Sequence, residues 1–271
     1  MEQTLLSLSP MQRLPTWGTF LLMLTIVLSA ILLGYLLARY RVGKSDNASE
    51  GPVGSVVGAV LGLLAFMLAF TFSISAGRFD TRKQLLLDDV NAISTAVMRA
   101  QLLPEPHRSE CRDILKQYVD IRVDMAPHNI SKGISDTKVL QDQLWKHAVD
   151  LARADMNSDI GALFVESLNE MFVLNNSRIT VALQYRIPSV IWYALLMLTS
   201  LGMAGVGYQF GLVGRFSTLV CFILGISFSL VVTLIADLDK PTTGMLQVSR
   251  KPMLELQKIL SIPGEQELER R

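Results

Sequence analysis

Four long uncharged stretches divide this chain. Residues 17–38, 51–77, 187–214 and 216–236 contain no Asp, Glu, Lys or Arg, and each is long enough to cross a hydrocarbon core that needs roughly 20 apolar residues in a helix. Between the second and third lies a polar segment of helical period. The pattern predicts an all-α integral membrane protein with four transmembrane helices and a helical cytosolic domain inserted between spans two and three. Its expected parts are a leader at 1–16, a first span at 17–38, a short external loop at 39–51 and a second span at 52–77. The helical domain follows at 78–186, then a third span at 188–213, a fourth at 216–236 and a cytosolic C-terminal segment at 237–271.

The polar segment reads as a series of apolar helix faces. Leu86, Val90, Ile93, Val97 and Ala100 keep the four-three spacing of one face directly after the second span, so span and face are expected to form a single long rod. Pro104-Glu105-Pro106 ends it, because proline lacks the amide donor and restricts the residue before it. A second stripe runs through Cys111, Ile114, Tyr118, Ile121 and Met125, closed by Pro127 and a loop from His128 to Gly133. Leu140, Leu144, Ala148 and Leu151 form a third, and Ile160, Phe164, Leu168 and Met171 a fourth. No strand-like alternation appears.

Composition narrows the function classes. Half of the residues are hydrophobic and mean hydropathy is +0.37, yet 18% are charged, so the apolar residues are gathered in blocks rather than spread through one globular core. A net charge of +1 gives no basic excess of the kind nucleic-acid binding requires, so no nucleic-acid partner is expected. The first span exceeds the roughly 7 to 15 apolar residues of a signal peptide and ends in Ala38-Arg39-Tyr40-Arg41 rather than a small-residue cleavage site, which predicts a retained helix. Lys and Arg beside the termini and the helical domain outnumber those of the two short loops, where Arg39, Arg41, Lys44 and Arg215 stand. That bias predicts cytoplasmic N- and C-termini. The sequons at Asn47, Asn129 and Asn175 fall on opposite sides in this topology and read as chance. Cys111 and Cys221 are expected to be small buried hydrophobes. His107, His128 and His147 are scattered without an i,i+4 partner, so neither metal nor cofactor is expected, and no nucleophile or phosphate-loop motif points to an enzyme.

The second span carries the most specific pattern. At 100° per residue Gly54, Gly58, Gly62, Phe66, Ala69, Phe70, Ser73 and Gly77 share one broad face, while Met67, Leu68 and Thr71 point elsewhere. Gly54 and Gly58 suit close helix packing. Gly62, Phe66, Phe70 and Ser73 are candidates for the wall of a pore, since ring edges carry the positive part of the aromatic quadrupole and a phenylalanine ring can close a channel by dewetting. Past the second and fourth spans stand Arg78 and Arg82, and Asp237 and Asp239. These form a candidate charge cluster at the membrane boundary, because carboxylates at a helix C-terminus oppose its dipole and call for a cation.

As an ordered set, several segments resemble one family. They are residues 62–73 (GLLAFMLAFTFS), 78–83 (RFDTRK), 91–95 (NAIST), 102–106 (LLPEP), 118–122 (YVDIR), Gly207-Tyr208 and 235–241 (IADLDKP). This chain is similar over about residues 50–256 to the bestrophin-like family of bacterial membrane proteins, itself distantly related to bestrophin anion channels. The resemblance implies a homo-oligomer, a pentamer above all, in the bacterial inner membrane, conducting small anions such as chloride through a pore lined by the second span. Phe66 and Phe70 match that pattern's aromatic neck in type and helical phase. The acidic run that clasps calcium in bestrophins has no counterpart after Pro241. A non-conducting signalling scaffold, or a stator-like proton-motor subunit with a carboxylate-bearing partner, are the alternatives.

Overall fold

The computed structural model describes residues 14–42, 51–125, 129–183, 185–214, 216–241 and 244–261. Most of the expected leader, Lys44 and Asn47 of the first short loop, Pro127, His128, Arg215 and the last ten residues lie outside them. Eight helices follow one another in the described residues: α1 (Thr16–Val42), α2 (Gly51–Ala100), α3 (His107–Asp124), α4 (Ile130–Ala154), α5 (Asp159–Leu183), α6 (Ser189–Val213), α7 (Thr218–Asp239) and α8 (Lys251–Ser261). No strand occurs among these residues. Four helices, α1, α2, α6 and α7, are long and apolar enough to cross a membrane.

The chain divides into two compact units, one of residues 1–79 and 184–247, the other of 80–183 and 248–271. In the first, α1 and α6 approach until their backbones touch. A Cβ on Gly34 would fall 1.9 Å from the Ala204 carbonyl oxygen, and one on Gly207 would fall 1.9 Å from that of Ile31. Lipid chains are as apolar as leucine, so spans associate through such close van der Waals packing rather than through exclusion of water. A layer of Met23, Leu64, Leu68, Trp192, Leu195, Val232 and Ile235 fills the space among the four helices.

The second unit is a bundle of helices around its own apolar centre. Ile93, Ala96, Leu115, Tyr118, Val119, Leu144, Phe164, Leu168 and Met171 form its buried centre. Each such large side chain is worth roughly 1.5–3 kcal/mol when removed from water. On α3 the buried side chains are Cys111, Leu115, Tyr118 and Val119, so the face is turned from the expected stripe, and Ile114 and Ile121 sit at its edge. The Arg122 guanidinium accompanies this rotation, drawn inward by the polar partners described below. The loop expected from His128 to Gly133 is shorter, because α4 already begins at Ile130. Within its first turns Gly133 packs on Met125, whose Cε would stand 2.8 Å from an added Cβ. On α5, Phe164, Leu168 and Met171 are buried while Ile160 is exposed. Helix α8 completes the unit with Met253, Leu256 and Leu260 at three-four spacing, and Gln257 Nε2 donates to Asp120 Oδ1 at 2.7 Å.

Candidate functional site

Helix α2 has two unlike faces within the membrane unit. Val57, Leu64, Leu68, Thr71 and Ser75, at seven-four-three-four spacing, are buried against the chain's own helices. The Thr71 hydroxyl is satisfied within the helix, donating to the Met67 carbonyl at 2.7 Å. Opposite stands the face predicted from sequence. Phe66 is 65% and Phe70 55% exposed, their rings 6.4 Å apart and only 12° from parallel. Ser73 is exposed on the same side, and a Cβ added at Gly58 or Gly62 would meet nothing within 4 Å. Gly54 differs, lying where a Cβ would come 3.0 Å from Gln209 Nε2. The glycines that bring helices together inside one protomer are instead Gly34, Gly202, Gly205, Gly207 and Gly211. Their signal stands in the sequence as Gly207-x-x-x-Gly211, a small-residue spacing on the third span.

The boundary charges are drawn into a network of ties. Arg78 Nη1 lies 3.5 Å from Asp239 Oδ1, whose side chain is fully buried. That same oxygen accepts the Ile187 backbone amide at 3.0 Å. Asp237 is held by a hydroxyl and by backbone amides. It accepts the Thr16 hydroxyl at 2.5 Å and the backbone amides of Met245 and Leu246 at 2.9 and 2.8 Å. Lys240 Nζ donates to the Leu14 carbonyl at 2.6 Å. Burial lowers the Lys240 ammonium from its ordinary value, with Asp237 pulling it back up, and burial lowers the Arg186 guanidinium, opposed by Asp239. Arg82, one turn beyond Arg78 on α2, is buried. Backbone amides as partners of Asp237 are invisible in the sequence, because they come from a turn whose shape depends on Gly244. That residue has φ +155°, and a Cβ there would stand 2.7 Å from Asp237 Oδ1.

Two polar constellations of the second unit have no counterpart in the sequence pattern. Asp89 of α2, fully buried, accepts from Arg122 of α3 at 2.8 Å and from Arg178 of α5, while Arg122 also donates to Asn175. Desolvation and the neighbouring Arg122 lower the Arg178 guanidinium from its ordinary value, against the pull of Asp89. Tyr118, one turn before Arg122, is pushed up to about 12, first by burial. Burial likewise pushes the Cys111 thiol up to about 12, so it is inert at neutral pH. The histidines read as scattered include a pair, with Nδ1 of His107 and His147 3.1 Å apart. Among the described residues no group of three or more His, Cys, Asp or Glu side chains is arranged to hold a metal ion.

A family model described as a Bestrophin-like domain matches residues 21–253. The chain belongs to the bestrophin-like family. Its fold is that of bacterial bestrophin homologues. A crystal structure of a homologue from Klebsiella pneumoniae carrying a mutation superimposes with a TM-score of 0.65 at 15% identity, covering 89% of this chain and 98% of that one. A second structure of the Klebsiella pneumoniae homologue, phased with zinc, gives 0.64 at 16% identity over 89% and 96%. Comparison with curated proteins finds no match. This bestrophin-like chain is therefore an all-helical membrane protein, and the resemblance read from its segments is shown over most of its length.

Proposed function

We propose that this bestrophin-like protein is a homo-oligomeric ion channel of the bacterial inner membrane, pentameric and anion-preferring, with the spanning part of α2 as its pore wall. Both termini and the helical unit face the cytoplasm in this reading. The observation that carries it is the α2 face of Gly62, Phe66, Phe70 and Ser73, which the protomer's own helices leave uncovered. Four helices packed on one another enclose no aqueous path, so conduction requires copies arranged around a symmetry axis. Gathered there, Phe66 and Phe70 would form a narrow apolar neck, passable to an ion that sheds water readily and whose charge meets ring edges. Gly58 and Gly62 would keep that neck's approach wide. Asp237, Asp239, Arg78 and Lys240 serve as ties that hold the ends of the spans, not as conducting groups.

Planar-bilayer recording of the purified protein tests the proposal. Chloride currents are expected, with conductance raised and selectivity relaxed in Phe66→Ala and Phe70→Ala. Currents indifferent to both substitutions would remove the neck from α2, and silence of folded, reconstituted protein would remove the channel.

A further inference from the structure

The helical unit contains a contact that the proposed channel does not use. His107 opens α3 and His147 stands two turns before the end of α4, and their Nδ1 atoms are 3.1 Å apart. Both rings are half-buried. Their centres lie 5.4 Å apart with the planes at 83°, farther than the nitrogens by the two ring radii that a head-on arrangement adds. The two nitrogens therefore point straight at each other. A metal ion asks for something else, since its bonds of roughly 2.0–2.1 Å need both lone pairs to converge on one point beside the line between the nitrogens. Head-on nitrogens hold a proton between them instead.

Counting hydrogens fixes what this contact tolerates. A neutral imidazole carries one N–H, so one ring can donate from Nδ1 to the bare Nδ1 of the other. One added proton leaves that bond in place, because an imidazolium donates and the remaining neutral ring accepts. The bond is then charge-assisted, and Glu110 Oε2, 3.6 Å from His147 Nδ1, faces the new charge. A second added proton removes the acceptor. Two N–H groups and two positive charges then meet, and the rings must part. The other titratable groups around the pair do not replace the lost bond. Glu105 pairs with Arg108 at 3.7 Å, Lys146 and Asp150 flank His147 on α4, and the buried Cys111 thiol, pushed up to about 12, stays neutral. Helix α8 meets α3 at Asp120, more than three turns further on.

We propose that His107 and His147 form an acid-opened latch between α3 and α4, closed while the pair holds at most one added proton and open when it holds two. The parted rings bind a proton that the joined rings refuse, so the latch weakens as pH falls through the range in which histidine ordinarily titrates. What it releases is the first turn of α3, beside the turn at 103–106 that follows α2. The rest of α3 stays held by Cys111, Leu115, Tyr118 and Val119. The latch does not require that the protein conduct.

Hydrogen–deuterium exchange of the full-length protein in detergent at pH 8 and pH 5, corrected for the intrinsic pH dependence of exchange, tests this. The amides of Arg108 and Glu110, which donate to the Pro104 and Pro106 carbonyls at 3.1 Å, report the first turn of α3. Their protection should fall about tenfold on acidification, the factor that one hydrogen bond is worth, while the core segment from Phe164 to Met171 keeps its own. His107→Asn sets an amide near the place of Nδ1 and takes up no proton, so the fall should vanish. His147→Phe should leave the turn open at both pH values, and Glu110→Gln should keep the fall. Equal protection of the parent at both pH values would overturn the latch. So would a fall that survives in both histidine variants, or one that disappears in Glu110→Gln, which would make the carboxylate the sensor. A loss of equal size in the core segment would overturn it too, since acid would then loosen the unit as a whole.

Discussion

At the scale of the residue, glycines divide into two kinds that look alike in sequence. Gly207 and Gly34 exist because a backbone carbonyl of another helix occupies the place where a Cβ would be. Backbone cannot give way as a side chain tip does. Gly207→Val should therefore separate α1 from α6 and cost about 3 kcal/mol or more, read as loss of the monodisperse peak and a lowered melting temperature in detergent. Gly161 in α5 is the contrast. Its Cβ would come no nearer than 3.4 Å to Ser158 Cβ, so Gly161→Ala should stay within about 0.5 kcal/mol of the parent. A melt in which both variants behave alike would refute the distinction. Gly244 is a third case, held by its φ and by the carboxylate of Asp237.

At the scale of the element, the second unit shows how a buried charge joins helices that share no sequence proximity. Asp89, Arg122, Asn175 and Arg178 come from α2, α3 and α5 and meet in the interior. Two guanidiniums share one carboxylate whose side chain is fully buried. Removing the carboxylate leaves them uncompensated, which typically costs about 3–5 kcal/mol. Asp89→Ala is expected to lose most of the unit's cooperative denaturant transition. Asp89→Met combined with Arg122→Met should recover part of it, since a paired removal leaves one fewer orphaned charge. An Asp89→Ala transition at the parent's midpoint would show that the pair contributes nothing. The same node explains why α3 presents Leu115 and Val119, rather than Ile114 and Ile121, to the core. A stripe drawn through apolar residues alone omits the buried arginine at position 122, which belongs to the inward face too.

At the scale of the whole molecule, the proposed assembly makes one geometric demand: the α2 face bearing Phe66 and Phe70 must lie nearest a rotational axis. Single-particle imaging of the purified protein should show fivefold symmetry with those rings around the axis. A lone protomer, or a ring with that face against lipid, would defeat the arrangement. The sequence by itself determined the four apolar helices, the helical segment between the second and third, the rod-like continuity of α2 through residue 100, and the family. These follow from local quantities, because a run without charge or a period of 3.6 is set by neighbours along the chain. Only the tertiary structure decided which glycines touch, that Asp237 is held by backbone amides of Met245 and Leu246, and that His107 meets His147. Each depends on positions brought together from distant parts of the chain. Such meetings are fixed by the crossing of helices and by the atoms left over where they cross, and no pattern along one helix records them.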